Sequence, residues 1–202
     1  ERGITLKTIE EARRLLQSEE FMHIAAVLGG GEDLAEAYRN RLLCAIDSFV
    51  QLYGSGREIA IFSAPGRTEL GGNHTDHQHG HVLAASINLD VIAVVARRED
   101  TMIRVHSEGF PEDEISLEEL EPVTDKKPTA AELIRGIAAR FKQYGCPLET
   151  GFDAYTTSQV MAGSGLSSSA AFEVLLGNIC NALYAENRFT PVELAQMGQY
   201  AE

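Results

Sequence analysis

Cysteine is scarce in this chain: Cys44, Cys146 and Cys180 lie far apart and none forms a CxxC pair. That spacing offers neither a disulfide framework nor a zinc knuckle, and leaves free thiols in a core as the expected role. Basic residues are also few. Against 30 Asp and Glu stand 17 Lys and Arg, for a formal charge of −13 and a pI near 4.9. A field that would draw a nucleic-acid backbone or an anionic membrane is therefore absent, and a small-molecule substrate is favoured. No apolar run reaches the roughly 18 residues of a membrane span, and charges interrupt every apolar stretch near the start, so neither a transmembrane helix nor a secretory leader is expected. The expected location is cytoplasmic. Internal repeats and low-complexity segments are missing too, which excludes a repeat array.

What is present suits one soluble domain of mixed α and β structure, with 202 residues, 44% hydrophobic and 23% charged. Residues 6–28 have apolar positions at helical spacing and end at Gly29-Gly30-Gly31. A second amphipathic helix is predicted from Glu32 to Tyr53. From there the periodicity changes to that of strands: Ile59–Ala64, closed by Pro65-Gly66; His81–Arg98, with a break at Asp90; Ile103–Ser107; and Phe152–Val160. Pro111–Asp125 reads as an acidic connection. Helices are predicted over Thr129–Tyr144, from Ser168 to a stop before Pro191, and from Thr190 onward, where Thr190 and Glu193 have capping-box spacing.

Two stretches carry chemistry. Residues 71–81 hold four histidines and Asp76. Imidazoles and a carboxylate could ligate zinc, but the dinuclear hydrolase motif HxHxDH would need a histidine at position 72, where glycine stands. A polar, glycine-bounded turn between strands is the plainer reading. The second stretch, Gly163-Ser164-Gly165-Leu166-Ser167-Ser168-Ser169-Ala170, joins a predicted strand to a predicted helix. Glycines allow close backbone approach, the helix start adds N–H donors and a positive dipole end, and serine hydroxyls reach phosphate oxygen or magnesium. It lacks the lysine of a P-loop and the third glycine of a dinucleotide fingerprint. A plain helix-capping turn is the competing reading.

Together, Pro65-Gly66-Arg67-Thr68-Glu69-Leu70-Gly71-Gly72-Asn73-His74-Thr75-Asp76, then Gly80-His81-Val82-Leu83, then the serine loop, resemble the first two motifs of the galactokinase family of GHMP small-molecule kinases, GRxNxIGEHTDYxxGxVLP and GxGLSSSA. The resemblance covers about residues 57–202. It implies an α+β fold with a mixed sheet and helices on one face, the GHMP kinase N-terminal domain, which is ribosomal protein S5 domain 2-like. Residues 1–56 would be an N-terminal helical extension packed on that domain. It implies an ATP-dependent sugar kinase that phosphorylates the anomeric hydroxyl of galactose, with ATP and Mg2+ as cofactors. Arg67 matches the arginine that stabilises charge at the transferred phosphoryl group, a role suited to a permanent planar cation. Asn73, His74, Thr75 and Asp76 match the sugar-binding positions. Gly163, Ser164, Gly165, Leu166, Ser167, Ser168 and Ser169 match the nucleotide-phosphate loop, with Ser169 and Glu202 as magnesium ligands.

The pattern also departs from the family. Asn73 replaces the usual glutamate, Thr68-Glu69 the usual Val-Asn, Gly71 an isoleucine, His77 a tyrosine, and Ala84 and Met161 prolines. These changes bear on the sugar more than on the reaction, so a kinase for an amino sugar or another galactose derivative stays open, as does a non-catalytic galactose and ATP sensor. In the family a CGxMDQ segment with the catalytic aspartate follows the metal-binding glutamate, and then a C-terminal domain. The residues up to Glu202 are accordingly expected to be the N-terminal part of a longer kinase, inactive alone. Neither the oligomeric state nor a role for His77, His79 and His81 is implied.

Overall fold

The computed structural model describes residues 4–72, 80–121, 129–161 and 165–201. The N-terminal region, expected as one helical stretch, divides at Ser18. A two-residue strand β1 (Lys7–Thr8) leads into α1 (Ile9–Leu16), and α2 (Glu19–Gly29) follows after Ser18 accepts from the Phe21 N–H at 3.2 Å and restarts the helix. Helix α1 begins in a capping box: the Thr8 N–H donates to Glu11 Oε2 at 3.0 Å, and the Glu11 N–H returns to Thr8 Oγ1 at 3.3 Å. Helix α3 (Glu32–Tyr53) buries Tyr38, Leu42, Ala45, Ile46 and Phe49 along one stripe, at the spacing that the sequence predicts. Leu34, expected on that face, is exposed.

Five longer strands follow: β2 (Glu58–Gly71), β3 (Leu83–Arg97), β4 (Met102–Ser107), β5 (Glu112–Ser116) and β6 (Phe152–Ser158). Helix α4 (Ala130–Gln143) precedes β6, and α5 (Ser168–Tyr184) and α6 (Pro191–Ala201) come after it. The sheet order is β1-β2-β3-β6-β4-β5, antiparallel except for the parallel pair β4 and β6. This is the expected α+β architecture with a mixed sheet.

Three details differ from the sequence reading. Pro65-Gly66 does not close the first strand: β2 continues to Gly71 through a register shift between Pro65 and Arg67, the kind of irregularity that tolerates a residue without an N–H. Asp90 does not break β3; it is buried within the strand and receives hydrogen bonds there. Strand β5 lies inside the stretch read as an acidic connection. Its Ile115 is buried while Glu112, Asp113 and Glu114 occupy the sheet edge, where charge is common.

Helices on one face, the expected arrangement, describes α4, α5 and α6, which pack on Val91, Ala93 and Val95. The other face is not bare. Ile92, Val94 and Ala96 pack under α1, α2 and α3. Consecutive residues 91–96 are therefore all buried, because each side of β3 meets a helical layer. Cys146 and Cys180 are buried as expected, and burial pushes the Cys180 thiol up. Cys44 is exposed instead, on the side of α3 opposite Leu42 and Ile46. At α6 the predicted cap is present: Thr190 N–H to Glu193 Oε2 is 2.7 Å, and Glu193 N–H to Thr190 Oγ1 is 3.3 Å. Among the described residues no helix is long and apolar enough to cross a membrane.

Candidate active site

The β2–β3 hairpin carries Arg67, which pairs in register with Ser86; Thr68, Glu69 and Gly71 pair with Ala85, Ala84 and Leu83. Arg67 is exposed, and its guanidinium has no hydrogen-bond or ion-pair partner among the described residues. Its backbone N–H donates to the carbonyl of Leu166 at 3.2 Å. This bond joins the two motifs directly. It depends on the residue before: a Cβ built on Gly66 would lie 3.1 Å from the Leu166 carbonyl oxygen and equally close to both Val160 methyls, so glycine lets β2 and the serine loop touch. Between them opens a cleft of about 250 Å3 whose lining includes Arg67, Ala85, Ser86, Ser167 and Ala170.

Helix α5 starts in this cleft. Its N-cap, Ser167, is held left-handed at φ 57° and ψ 60° and makes no side-chain capping bond. A non-glycine residue in that conformation costs about 1–2 kcal/mol. The first backbone bond of the helix runs from Ala171 N–H to the Ser167 carbonyl at 3.0 Å. The N–H groups of Ser168, Ser169 and Ala170 precede that bond, in the first turn, where a helix has no backbone acceptors of its own to offer them. Every other helix has an acidic residue in its first turn; α5 has none. In a chain of net charge −13, this helix start thus keeps the positive end of its dipole unopposed within the turn, which is the electrostatic requirement for holding a phosphate.

Of the expected site residues, the structure brings Arg67, Leu166 and Ser167 to one place, with Gly165 (φ 78°), Ser168 and exposed Ser169 beside them. Asn73, His74, Thr75, Asp76, Gly163, Ser164 and Glu202 lie outside the described residues, as does most of the histidine-rich stretch. Among the described residues no group of three or more His, Cys, Asp or Glu is placed to hold a metal. The sequence reading gave no site role to Gly66, Ala85 or Ser86. The signal for Ala85 and Ser86 was the run of small residues at 84–86, which leaves room beside a ligand.

Comparison with known proteins meets these elements in the same order. The galactokinase galactose-binding signature matches residues 47–97, across β2, the hairpin and β3. The GHMP kinases N-terminal domain matches residues 132–202, from α4 through the serine loop to α6. Galactokinase from Enterococcus faecalis is 36% identical over 160 residues, 78% of this chain and 40% of that protein. The chain thus carries a GHMP kinases N-terminal domain. Galactokinase from Clostridium acetobutylicum is 37% identical over 145 residues, covering 70% of this chain and 36% of its own length. The crystal structure of Lactococcus lactis galactokinase complexed with galactose superposes with a TM-score of 0.71 at 31% identity, over 79% of this chain and 42% of that one. Mevalonate kinase from Methanococcus jannaschii, at 17% identity, has a TM-score of 0.55 and shares the fold alone. The chain spans about two fifths of the length of the galactokinases it matches.

Proposed function

We propose that this chain supplies the sugar-binding and phosphate-binding half of an ATP-dependent galactose kinase, which transfers the γ-phosphoryl group to the anomeric hydroxyl. The observation that carries this reading is the bond between Arg67 N–H and the Leu166 carbonyl, 3.2 Å. Through it the galactose-binding hairpin and the serine loop share one cleft. In that cleft the first turn of α5 offers backbone N–H groups to phosphate oxygens, and the αL conformation of Ser167 sets the turn before the ligand arrives. Arg67, with no internal partner among the described residues, is available to the phosphoryl oxygens, where fixed positive charge lowers the barrier as negative charge redistributes. Sugar hydroxyls fall to Asn73, His74, Thr75 and Asp76, on the strength of their motif. A carboxylate there discriminates by being left unpaired when the matching hydroxyl is missing.

Magnesium fits the donor set. The Ser169 hydroxyl is a hard oxygen ligand in the first turn of α5, and with Glu202 it would supply the serine and carboxylate that such sites combine with water and phosphate. The ion would neutralise phosphate charge. A cytoplasmic location is in keeping with ATP as the phosphoryl donor.

The test is phosphorus NMR of the full-length protein with magnesium-ATP and galactose. A new anomeric phosphate signal is expected. Signal only with an amino sugar would shift the substrate assignment to Asn73, the position where this sequence departs from the usual glutamate. Silence with every sugar, while galactose still binds, would replace the kinase with a sensor. Asp76→Ala in the same protein is expected to abolish galactose binding in calorimetry and spare nucleotide binding; equal loss of both would remove Asp76 from the sugar site.

A further inference from the structure

Two buried aspartates anchor the sheet through arginines, at opposite ends of the pairing between β3 and β6. At one end Asp153 accepts from Arg57 Nη1 at 2.9 Å and from Arg98 Nη1 at 2.7 Å. Arg57 also donates to the carbonyl of Arg97 at 2.7 Å. At the other end stands Asp90, 4% exposed. Its Oδ2 accepts from the Tyr38 hydroxyl at 2.7 Å and the Ser63 hydroxyl at 2.6 Å, and its Oδ1 from Arg41 Nη1. The Arg41 fork then continues: Nη2 donates to the carbonyls of Asp90 and Thr157, both at 3.0 Å, and Nη1 reaches Gln159 Oε1 at 3.1 Å. The Gln159 N–H donates to the Asp90 carbonyl at 2.9 Å.

This second node lies where β6 ends beside the continuing β2–β3 hairpin. Asp90 is paired in register with Pro65, one residue before Gly66 and two before Arg67. Thr157 lies at the end of β6 and Gln159 just after it, and Val160, next in sequence, forms the wall against which Gly66 packs. Asp90 with Arg41 thus ties α3, β2 at Ser63 and the segment that follows β6 to one another. A buried charge with every partner in place resists displacement in any direction, because each shift leaves a donor or acceptor unsatisfied in low dielectric.

We infer that Asp90 and Arg41 are positioning residues for the reaction: they set the hairpin and the serine loop at the separation that the cleft requires, so that the N-terminal helical layer acts on the site through α3. The inference rests on the kinase reading for its catalytic consequence. The Asp153 node provides an internal control, since it is built from the same chemistry and joins β6 to the opposite ends of β2 and β3.

The test compares Asp90→Asn and Arg41→Lys with Arg57→Ala in the full-length protein. The two cleft-end variants are expected to lower kcat/KM for the sugar about a hundredfold, the scale of a misplacement near 1 Å. Arg57→Ala should leave it unchanged at a matched fall in melting temperature. Arg41→Lys, which keeps the charge but not the fork, should be the milder of the pair. Amide hydrogen exchange supplies the second readout: protection at Thr68–Gly71 and at Arg67, whose N–H donates to the Leu166 carbonyl, should fall in Asp90→Asn and hold in Arg57→Ala. Loss of sugar kcat/KM in proportion to melting temperature at both nodes, or unchanged exchange at the hairpin in Asp90→Asn, would overturn the proposal. A wild-type protein that phosphorylates no sugar would refute the kinase reading instead, and the exchange comparison would still decide whether Asp90 positions the two segments.

Discussion

Replacing Arg67 with alanine in the full-length protein is expected to cut turnover about a hundred- to a thousandfold, the loss seen when one preorganised donor to a developing charge is removed. The fold should barely notice. Arg67 is exposed, its guanidinium makes no hydrogen bond or ion pair among the described residues, and its strand position is held by backbone pairing with Ser86 and by the Leu166 carbonyl. Surface substitutions of this kind change stability by less than about 0.5 kcal/mol. The KM for nucleotide should change little, because the serine loop and the α5 helix start carry that binding. Arg67→Lys should recover part of the rate, since a point charge remains without the planar fork. Steady-state kinetics with thermal melts of both variants decide the matter. Full turnover in Arg67→Ala would remove this residue from the chemistry, and a large fall in melting temperature would show that it supports the fold instead.

The second large effect concerns stability and lies at the far end of the sheet. Gly151→Ala is expected to cost more than about 4 kcal/mol, a range reached only by severe backbone or core disruption. A Cβ at Gly151 would sit 1.7 Å from the carbonyl oxygen of Met102 and 2.3 Å from its carbonyl carbon. Those atoms are backbone at the start of β4 and cannot rotate aside. Gly151 is also pinned by its own bonds: its N–H donates to Asp100 O at 2.7 Å, and its carbonyl accepts from Arg98 N–H at 2.9 Å and the Tyr184 hydroxyl at 2.8 Å. Relief of the clash would have to break this set. Given total stabilities of roughly 5–15 kcal/mol, the variant should unfold at low denaturant or fail to accumulate in soluble form. Gly56→Ala, where a Cβ meets nothing within 4 Å, is the matched control and should melt like the wild type. A Gly151→Ala protein with near-normal urea stability would mean that β4 and the segment before β6 separate more readily than this packing implies.

Local signals in the sequence led a long way. Capping chemistry at Thr190 and Glu193, the apolar stripe of α3 and the serine loop ahead of α5 are each determined within a few residues, and each stands where the pattern placed it. Errors arose where the outcome depends on partners distant in sequence. Asp90 looked like a strand break because an isolated carboxylate in an apolar run is costly; its partners Arg41 and Tyr38 lie some fifty residues earlier, and no local pattern reveals them. Strand β5 was hidden among acidic residues because an edge strand needs only one buried side chain, here Ile115. The second helical layer could have been inferred from the uninterrupted run Val91–Ala96, since a strand with one wet face alternates. Of the site, Arg67 and the serine loop were legible through their motif strings, whereas Gly66 and Ser86 matter only through what the fold sets against them.

The acidic edge strand has a consequence for how copies of this protein meet. With helices on both faces of the sheet, a neighbouring molecule could extend it only by adding a strand at a margin. At one margin stands β1, two residues long; at the other, β5 presents Glu112, Asp113 and Glu114 in succession. Two such margins brought together would align like charges at the spacing of paired strands, which repel at that distance. Crowded solutions of this protein are thereby protected from edge-to-edge polymerisation by the same residues that disguised the strand.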